Sequence, residues 1–144
     1  MPLLKIKRVN RRARIPAYQS DGAACFDLHA LLDAPAVLLP RESLILRTGL
    51  AVEMPPGWRM DVFSRSGHGF QHGVTLANSV GKIDADYRNE LMVCLYNAGK
   101  LPITVSDGDR VAQAELNPVF RVDFEEVLDL SSTSRTGGFG STGA

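Results

Sequence analysis

The sequence lacks an excess of charge of either sign, because 16 lysine and arginine residues balance 16 aspartate and glutamate residues. A protein that binds nucleic acid non-specifically needs surplus positive charge to release counterions from the phosphates. The sequence also has no apolar run near the ~20 residues that a membrane-spanning helix requires. We therefore expect neither a nucleic-acid partner nor a membrane partner.

Cysteine is scarce, with only Cys25 and Cys94 in the whole chain. Both lie among apolar residues, in the segments AACFDL and MVCLY. No apolar segment of the kind found in secretion signals follows Met1. A buried cysteine in a reducing compartment behaves as a small apolar side chain. We therefore expect two buried free thiols and a cytoplasmic location.

Helical periodicity is almost absent, since no window longer than about ten residues repeats apolar side chains at the helical period. Residues 58–62 and 120–124 instead alternate strictly between apolar and polar side chains, which indicates strands with one buried face. The apolar run at residues 91–95 predicts a strand that is buried on both faces. Turns rich in glycine, proline and asparagine separate these runs, as in an all-β sandwich or barrel. At most one short helix is expected, directly after residues 64–67.

The length of 144 residues fits one domain. The composition changes abruptly near the C-terminus, where residues 131–144 contain four glycines together with serine and threonine. Such a composition is typical of a flexible segment. We expect a β domain over residues 1–134 and a flexible, glycine-rich lid over residues 135–144.

Two segments are rich in groups that bind anions. Residues 64–67 place Arg65 between two serines and before Gly67, and residues 135–143 combine Arg135 with glycines and hydroxyl side chains. Glycines let successive backbone N–H groups converge on an anion, and the guanidinium fork fits a phosphate. Taken alone, the first segment is also typical of a turn and the second of an unstructured tail.

Carboxylates supply a further set of candidate residues. Asp84 and Asp86 lie two residues apart, so on a strand they would share a face and could bind a cation or supply a general base. A polar hairpin with both carboxylates in solvent is the alternative. Asp27 lies in an otherwise apolar stretch, where burial would require a partner.

Two further residue pairs have simpler interpretations. His68 and His72 have the spacing of zinc ligands on a helix, but no third ligand is evident and we do not expect a metal there. Residues 108–113 form a turn that leads into a strand, within which Asp109 and Arg110 are expected to pair.

Together and in this order, five segments resemble the trimeric deoxyuridine triphosphatases (dUTPases). Each motif is weak alone, but five in the order and approximate spacing of the family are specific. They span nearly the whole sequence, at residues 23–30, 64–69, 78–91, 108–113 and 135–143. The resemblance implies a jelly-roll-like, β-clip domain that assembles as a homotrimer, with each active site shared among the three subunits. It also implies Mg²⁺-assisted hydrolysis of dUTP to dUMP and pyrophosphate, which limits uracil in DNA and supplies dUMP for dTMP synthesis.

The resemblance assigns roles to individual residues. Asp84 would be the catalytic base for the water that attacks the α-phosphorus, and Tyr87 would lie against the deoxyribose. Asn78 would bind the uracil edge, over which Phe139 would stack. The substrate phosphates and water would hold Mg²⁺ without a direct protein ligand, with Asp27 near its water shell. The full set of substrate-binding residues that the resemblance implies is Arg65, Ser66, Gly67, Asn78, Gly81, Ile83, Tyr87, Met92, Gln113, Arg135, Phe139, Gly140, Ser141 and Thr142.

Two other functions are compatible with parts of this pattern. The related dCTP deaminases share the fold and a similar serine-arginine segment, but they need a glutamate that acts on the cytosine ring. No glutamate is so placed in residues 78–91, and Asp84 favours hydrolysis. A non-catalytic nucleotide sensor or protein-interaction module could lose Asp84 or the C-terminal motif, and both are present.

Overall fold

Short antiparallel strands make up nearly all the regular structure of residues 1–138, the part of the chain that this computed structural model describes. In chain order the elements are β1 (Lys5–Arg8), β2 (Phe26–His29), β3 (Ala36–Leu38), β4 (Ser43–Arg47), β5 (Leu50–Glu53), β6 (Trp58–Phe63), α1 (Ser66–His72), β7 (Val74–Leu76), β8 (Val80–Ile83), β9 (Met92–Asn97), β10 (Ile103–Val105) and β11 (Arg110–Pro118). The prediction of an all-β domain with one short helix after residues 64–67 is confirmed. This helix of seven residues is far too short to cross a membrane, and no other helix occurs in the described part of the chain.

Two larger sheets enclose the core. One has the order β2-β11-β6-β8 and the other the order β4-β9-β7, and the pairs β1-β5 and β10-β3 complete the strand pairing. Every pairing is antiparallel. The long strand β11 lies between β2 and β6, so it joins the N-terminal half of the chain to its middle. Alternate apolar side chains of these strands fill the core, among them Leu28, Met60, Leu95 and Val111.

Strand β6 confirms the alternation at residues 58–62, but its polar face is not open to solvent throughout. Met60 and Val62 face the core as expected. Asp61 is also buried, at 2% exposure. Its carboxylate accepts hydrogen bonds from Arg59 and Asn117 and pairs with Lys82 at 2.8 Å. Burial raises the pKa of Asp61, but these hydrogen bonds outweigh burial and leave its pKa below the ordinary value.

Strand β9 is buried on one face, so the prediction of two buried faces is wrong. Val93 and Leu95 are buried, whereas Met92 is 58% exposed and Cys94 is only partly covered. The reason is that the sheet β4-β9-β7 meets the core of this chain with one side only. Both cysteines are free thiols, but they are half-buried rather than buried. Burial is the main cause of a raised pKa at Cys25.

Residues 120–124 form no strand in the described structure, although their alternation predicted one. Strand β11 ends at Pro118, and Val119 N–H donates to Gly57 O at 2.9 Å or less, in a contact of 2.8 Å. Residues beyond this contact, as far as residue 138, are exposed. The uncovered apolar side chains of this segment are Phe120, Val122, Phe124, Val127, Leu128 and Leu130.

Candidate active site

Strand β11 aligns two of the predicted motifs. Gln113 lies opposite Asp27 of β2 on one side and opposite Phe63 of β6 on the other. The Gln113 side chain donates from Nε2 to the carbonyl oxygen of Ser64 at 3.0 Å. The chain leaves β6 at this point and enters α1, so Gln113 holds the segment on which Arg65 and Ser66 lie.

Arg65 is the residue that precedes helix α1, and its backbone is extended. Ser66 and Gly67 form the first turn of this helix and are exposed. The helix ends at Gly73, whose φ of 70° is a left-handed conformation. A Cβ at Gly73 would lie 2.9 Å from the Gly99 backbone, so this tight approach requires glycine. The first turn of α1 is thereby fixed against the rest of the domain.

Asp27 is buried and has the partners that its burial was predicted to require. Its Oδ1 accepts a hydrogen bond from Arg65 Nε at 3.0 Å, and its Oδ2 accepts one from Arg110 Nη1 at 3.2 Å. Arg110 therefore pairs with Asp27, and the predicted pairing with Asp109 is wrong for the described structure. Asp109 instead accepts a hydrogen bond from the backbone N–H of Ser106 at 2.8 Å. That Asp27 lies near the water shell of a metal stays a prediction.

The surroundings of Asp27 are cationic. Burial, and next the charge of Arg14, lowers the pKa of His29, and the charges of Arg110 and Arg65 act in the same direction. The Nδ1 atom of His29 is buried without a hydrogen-bond partner in the described residues. Three guanidinium groups thus share this region with one carboxylate, an electrostatic environment that favours an anionic ligand.

Asn78 lies in the turn between β7 and β8, which was predicted to be part of a hairpin. The two strands belong to different sheets, since β7 pairs with β9 and β8 pairs with β6, so the turn is a corner rather than a hairpin. Ser79 has a φ of 62°, and Val80 N–H donates to Asn78 O at 2.7 Å. A Cβ at Gly81 would lie 3.2 Å from Val62 Cβ and 3.6 Å from Asn78 Nδ2. Glycine therefore lets the exposed Asn78 side chain lie close to the backbone of β8.

Asp84 follows β8 directly and opens a tight turn. The backbone N–H of Tyr87 donates to Asp84 O at 3.1 Å. Asp84 and Asp86 are both exposed, but they lie in this turn rather than on a strand, so the predicted shared strand face is wrong. The Tyr87 hydroxyl donates to Glu90 O at 3.0 Å, and the ring packs partly against the core. The tyrosine ring thus has a defined place beside the carboxylate.

A cavity of about 1030 Å³ borders Asp84. Arginine side chains contribute much of its charge, because Arg59, Arg88 and Arg121 all line it. Arg59 also donates to the buried Asp61 at 2.9 Å, whereas Arg121 is exposed. The exposed carboxylate therefore lies in a cationic setting that suits an anionic substrate.

The predicted site residues fall into two groups within one chain. Arg65, Ser66 and Gln113 lie at the end of β6, where Phe63 is opposite Val80. Asp84 lies four residues beyond Val80, which corresponds to about 13 Å along an extended strand. Ile83 is half-buried beside Asp84, and Met92 is exposed on the other sheet. The structure brings Asp27, Arg65 and Gln113 together, and Asp84 with Tyr87, but not these two groups with each other.

The C-terminal motif is described only in part. Arg135 is exposed and donates from Nε to Gly137 O at 3.2 Å. Phe139, Gly140, Ser141 and Thr142 lie outside the described residues. Their binding roles stay predictions.

Within residues 1–138, no group of three or more histidine, cysteine, aspartate or glutamate side chains is placed to hold a metal ion. The rings of His68 and His72 lie 6.3 Å apart between centroids. The Nε2 atom of His68 lies 3.0 Å from the carbonyl oxygen of Arg110, so this ring contacts the strand that also holds Gln113.

The sequence did not single out several charged residues that the structure brings to these sites. Arg110 was assigned to the wrong partner, and Arg59, Arg88 and Arg121 were not considered. The signal for Arg110 was the buried aspartate itself, since a carboxylate in an apolar strand needs a cation. No local pattern indicated which of the 16 lysine and arginine residues would provide it.

Sequence comparisons identify relatives along nearly the full chain. A sequence model of the dUTPase family matches residues 11–143. The deoxyuridine 5'-triphosphate nucleotidohydrolase of Anaeromyxobacter sp. (strain Fw109-5) is 47% identical over 148 residues, which cover 99% of this chain and 99% of the relative. The protein of the same name from Nautilia profundicola is 45% identical over 141 residues, which cover 97% of this chain and 98% of the relative.

Solved structures of phage dUTPases share the fold. The dUTPase of Staphylococcus bacteriophage 80alpha, solved with dUPNHPP, has a TM-score of 0.87 at 24% identity and covers 99% of both chains. The dUTPase of phage phi11 of S. aureus, described as revealing the coordination of a structural Mg(II) ion, has a TM-score of 0.78 at 22% identity, and the match covers 90% of this chain and 99% of that chain. The predicted fold class is therefore confirmed. Because the family match spans residues 11–143 and the relatives are 45–47% identical over almost the whole sequence, this chain belongs to the dUTPase family.

Proposed function

We propose that this chain hydrolyses dUTP to dUMP and pyrophosphate with Asp84 as its catalytic base. The activity follows from its family, since relatives at 45–47% identity over nearly the full length are named deoxyuridine 5'-triphosphate nucleotidohydrolases. The observation that supports the role of Asp84 is its exposed carboxylate, which follows β8 directly and borders a cavity lined by arginines. The activity limits uracil incorporation into DNA and supplies dUMP for dTMP synthesis.

In the proposed mechanism, Asp84 accepts a proton from the water that attacks the α-phosphorus. The new bond joins the water oxygen to that phosphorus, and the bond to the bridging oxygen of the β-phosphate breaks, so that pyrophosphate leaves. The Asp84 carboxylate is suited to this role because it is exposed and its turn is closed by the Tyr87 N–H. General-base catalysis of this kind contributes typically ~10²–10⁴-fold to the rate.

The nucleoside would bind along β8 and the corner before it. Asn78 and the backbone beside Gly81 would contact the uracil edge, and Ile83 and Met92 would contact the nucleoside. Tyr87 would lie against the deoxyribose, where its ring excludes a 2′-hydroxyl. Its hydroxyl is held by Glu90 O, which supports a fixed ring position.

The phosphate chain would bind the second group of residues. Arg65, Ser66, Gly67 and Gln113 would contact its oxygens, because this region contains three guanidinium groups around one buried carboxylate. Residues 135–144 would close over the bound nucleotide as a lid. In that lid Arg135, Gly140, Ser141 and Thr142 would approach the β- and γ-phosphates, and Phe139 would stack on the uracil.

Mg²⁺ would be held by the substrate phosphates and water. When bound, it neutralises phosphate oxygens and so favours attack at the phosphorus. The exposed carboxylates of Asp84 and Asp86 are oxygen donors of the kind that Mg²⁺ prefers in its surroundings. These side chains would bind and orient water rather than form a closed metal cage.

We also propose that the chain acts as a homotrimer in the cytoplasm, with each active site shared among subunits. The separation of about 13 Å along β8 between Asp84 and the Arg65 region supports a shared site. The uncovered apolar side chains of residues 120–130 support association, because a monomer would leave them in water. The free thiols of Cys25 and Cys94 are consistent with a reducing compartment.

Pyrophosphate release tests the proposed function. The purified protein with Mg²⁺ should release pyrophosphate from dUTP much faster than from dTTP, dCTP or UTP. Ammonia released from dCTP would instead indicate a deaminase. Binding of dUTP without any product would indicate a nucleotide sensor, and either result would overturn the proposal.

A further inference from the structure

Asp27 lies at the second position of β2 between two buried apolar residues, and its side chain is only 8% exposed. A carboxylate in such a place must be compensated by cationic or hydrogen-bonding partners. Arg65 and Arg110 provide this compensation, with one guanidinium on each oxygen. A buried ion pair adds little net stability over apolar packing, so its presence calls for another explanation.

The geometry around Arg65 suggests that explanation. The Arg65 guanidinium is held at two points, since Nε donates to Asp27 Oδ1 at 3.0 Å and Nη1 donates to Arg110 O at 3.2 Å. A guanidinium held at Nε and Nη1 still presents Nη2 to a ligand. The side chain is 23% exposed, so this outer edge reaches the surface.

Arg110 completes the arrangement. Its own guanidinium takes the other oxygen of Asp27, while its backbone carbonyl accepts from Arg65. The segment that bears Arg65 is fixed separately by the bond from Gln113 to Ser64 O. Backbone and side chain of Arg65 are thus both ordered before any ligand arrives. Such preorganisation lowers the cost of binding, because a long side chain need not be immobilised when the complex forms.

We propose that Asp27 is a positioning residue that acts through Arg65: it holds the guanidinium ready for the phosphate chain of the substrate. This inference rests on the proposed phosphate contact of Arg65. It gives Asp27 a role that needs no metal, because both of its oxygens serve arginines. The role differs from a place in the water shell of Mg²⁺, and the two make different predictions for the metal dependence of the reaction.

The first experiment compares Asp27→Asn with Asp61→Asn. Asp61 is a matched control, since it is another buried carboxylate with two cationic partners and lies outside the proposed site. Both variants should lower Tm. Asp27→Asn should also raise KM for dUTP about tenfold with kcat within about threefold, whereas Asp61→Asn should leave KM unchanged. The Mg²⁺ concentration for half-maximal activity should not change in Asp27→Asn. An increased Mg²⁺ requirement, or an unchanged KM, would overturn the inference.

A double-mutant cycle with Arg65→Gln separates this inference from the proposed function. If Asp27 acts through Arg65, the Asn substitution should add little to KM once Arg65 is replaced. A second full tenfold increase would contradict it. If Arg65→Gln raises KM but Asp27→Asn does not, the inference alone fails. If Arg65→Gln leaves KM unchanged, the phosphate role of Arg65 fails and the inference fails with it.

The unaltered protein offers a readout that does not depend on the folding of a variant. In NMR spectra the Nε–H of Arg65 should exchange slowly with water, because it is bonded to a buried carboxylate. The exposed Arg121 serves as the reference. Exchange of the Arg65 Nε–H as fast as that of Arg121 would overturn the inference.

Discussion

At the scale of single residues, Asp84 and Asp86 are two carboxylates in one tight turn, and both border the same cavity. They differ in position, because Asp84 begins the turn at the end of β8 and Asp86 lies at its outer bend. The proposed mechanism needs only the first. This difference makes the two residues a natural test and control.

Asp84→Asn should lower kcat by ~10²–10⁴-fold, because the base is removed while the side chain keeps its size. The KM for dUTP should change little. Steady-state kinetics of pyrophosphate release measure both quantities. The control variant Asp86→Asn should keep kcat near that of the unaltered protein, and near-full kcat in Asp84→Asn would show that another residue is the base.

Tyr87 separates two roles within one side chain. Tyr87→Ala should relax discrimination against UTP, because nothing would then fill the space beside the 2′ position. Tyr87→Phe keeps the ring and loses only the bond to Glu90 O, so it should retain most of the discrimination. The ratio of kcat/KM for dUTP and UTP is the measurement. An unchanged ratio in Tyr87→Ala would remove this residue from the site.

Asp61 makes stability depend on pH. Its folded pKa lies below the ordinary value, because hydrogen bonds from Arg59, Lys82 and Asn117 outweigh the effect of burial. Its contribution is therefore present above about pH 4 and is lost as the pH falls through the folded pKa. Asp61→Asn should cost about 3 kcal/mol at neutral pH and should flatten this acid dependence. Thermal melts between neutral and acidic pH test this, and a variant as acid-sensitive as the parent would contradict it.

At the scale of elements, the C-terminal segment has two parts with different expected roles. The domain is anchored as far as Val119, and residues 120–130 then present uncovered apolar side chains. Residues 135–144 are rich in glycine and hydroxyl groups instead. We therefore expect the first part to serve association and the second to serve the substrate.

Deleting residues 135–144 should leave Tm and the oligomer nearly unchanged. Turnover should fall by ~10²-fold or more, because donors to the phosphates and the exclusion of water are lost together. A longer deletion from residue 120 should in addition disrupt the oligomer in analytical ultracentrifugation. Full activity after the short deletion would show that these residues are dispensable.

At the scale of the whole molecule, the proposed homotrimer determines which chain completes which site. If the lid and Asp84 of one site come from different chains, two inactive variants can complement each other. Chains that lack residues 135–144, mixed with Asp84→Asn chains, should therefore recover part of the activity after subunit exchange. Native mass spectrometry verifies the mixed trimers. No recovery in verified mixed trimers would mean that lid and base act within one chain.

Much of the fold and some of the site could be predicted from the sequence because the signals are local. Alternation at residues 58–62 indicated β6, and the segment Ser-Arg-Ser-Gly indicated where α1 begins. The need of Asp27 for a partner also followed from its own neighbours. The identical alternation at residues 120–124 misled, because a strand forms only where a partner strand is available.

The sequence by itself determined the class of fold, the order of the motifs and the family, since strand periodicity and motif spacing are properties of neighbouring residues. Only the tertiary structure decided that Asp27 meets Arg65, 38 positions away, and Arg110, 83 positions away. It alone also buried Asp61 beneath Lys82 and separated Asp84 from the Arg65 region. The physical reason is that a charge chooses its partner by distance and burial in the folded chain, and neither quantity is encoded in any short stretch of sequence.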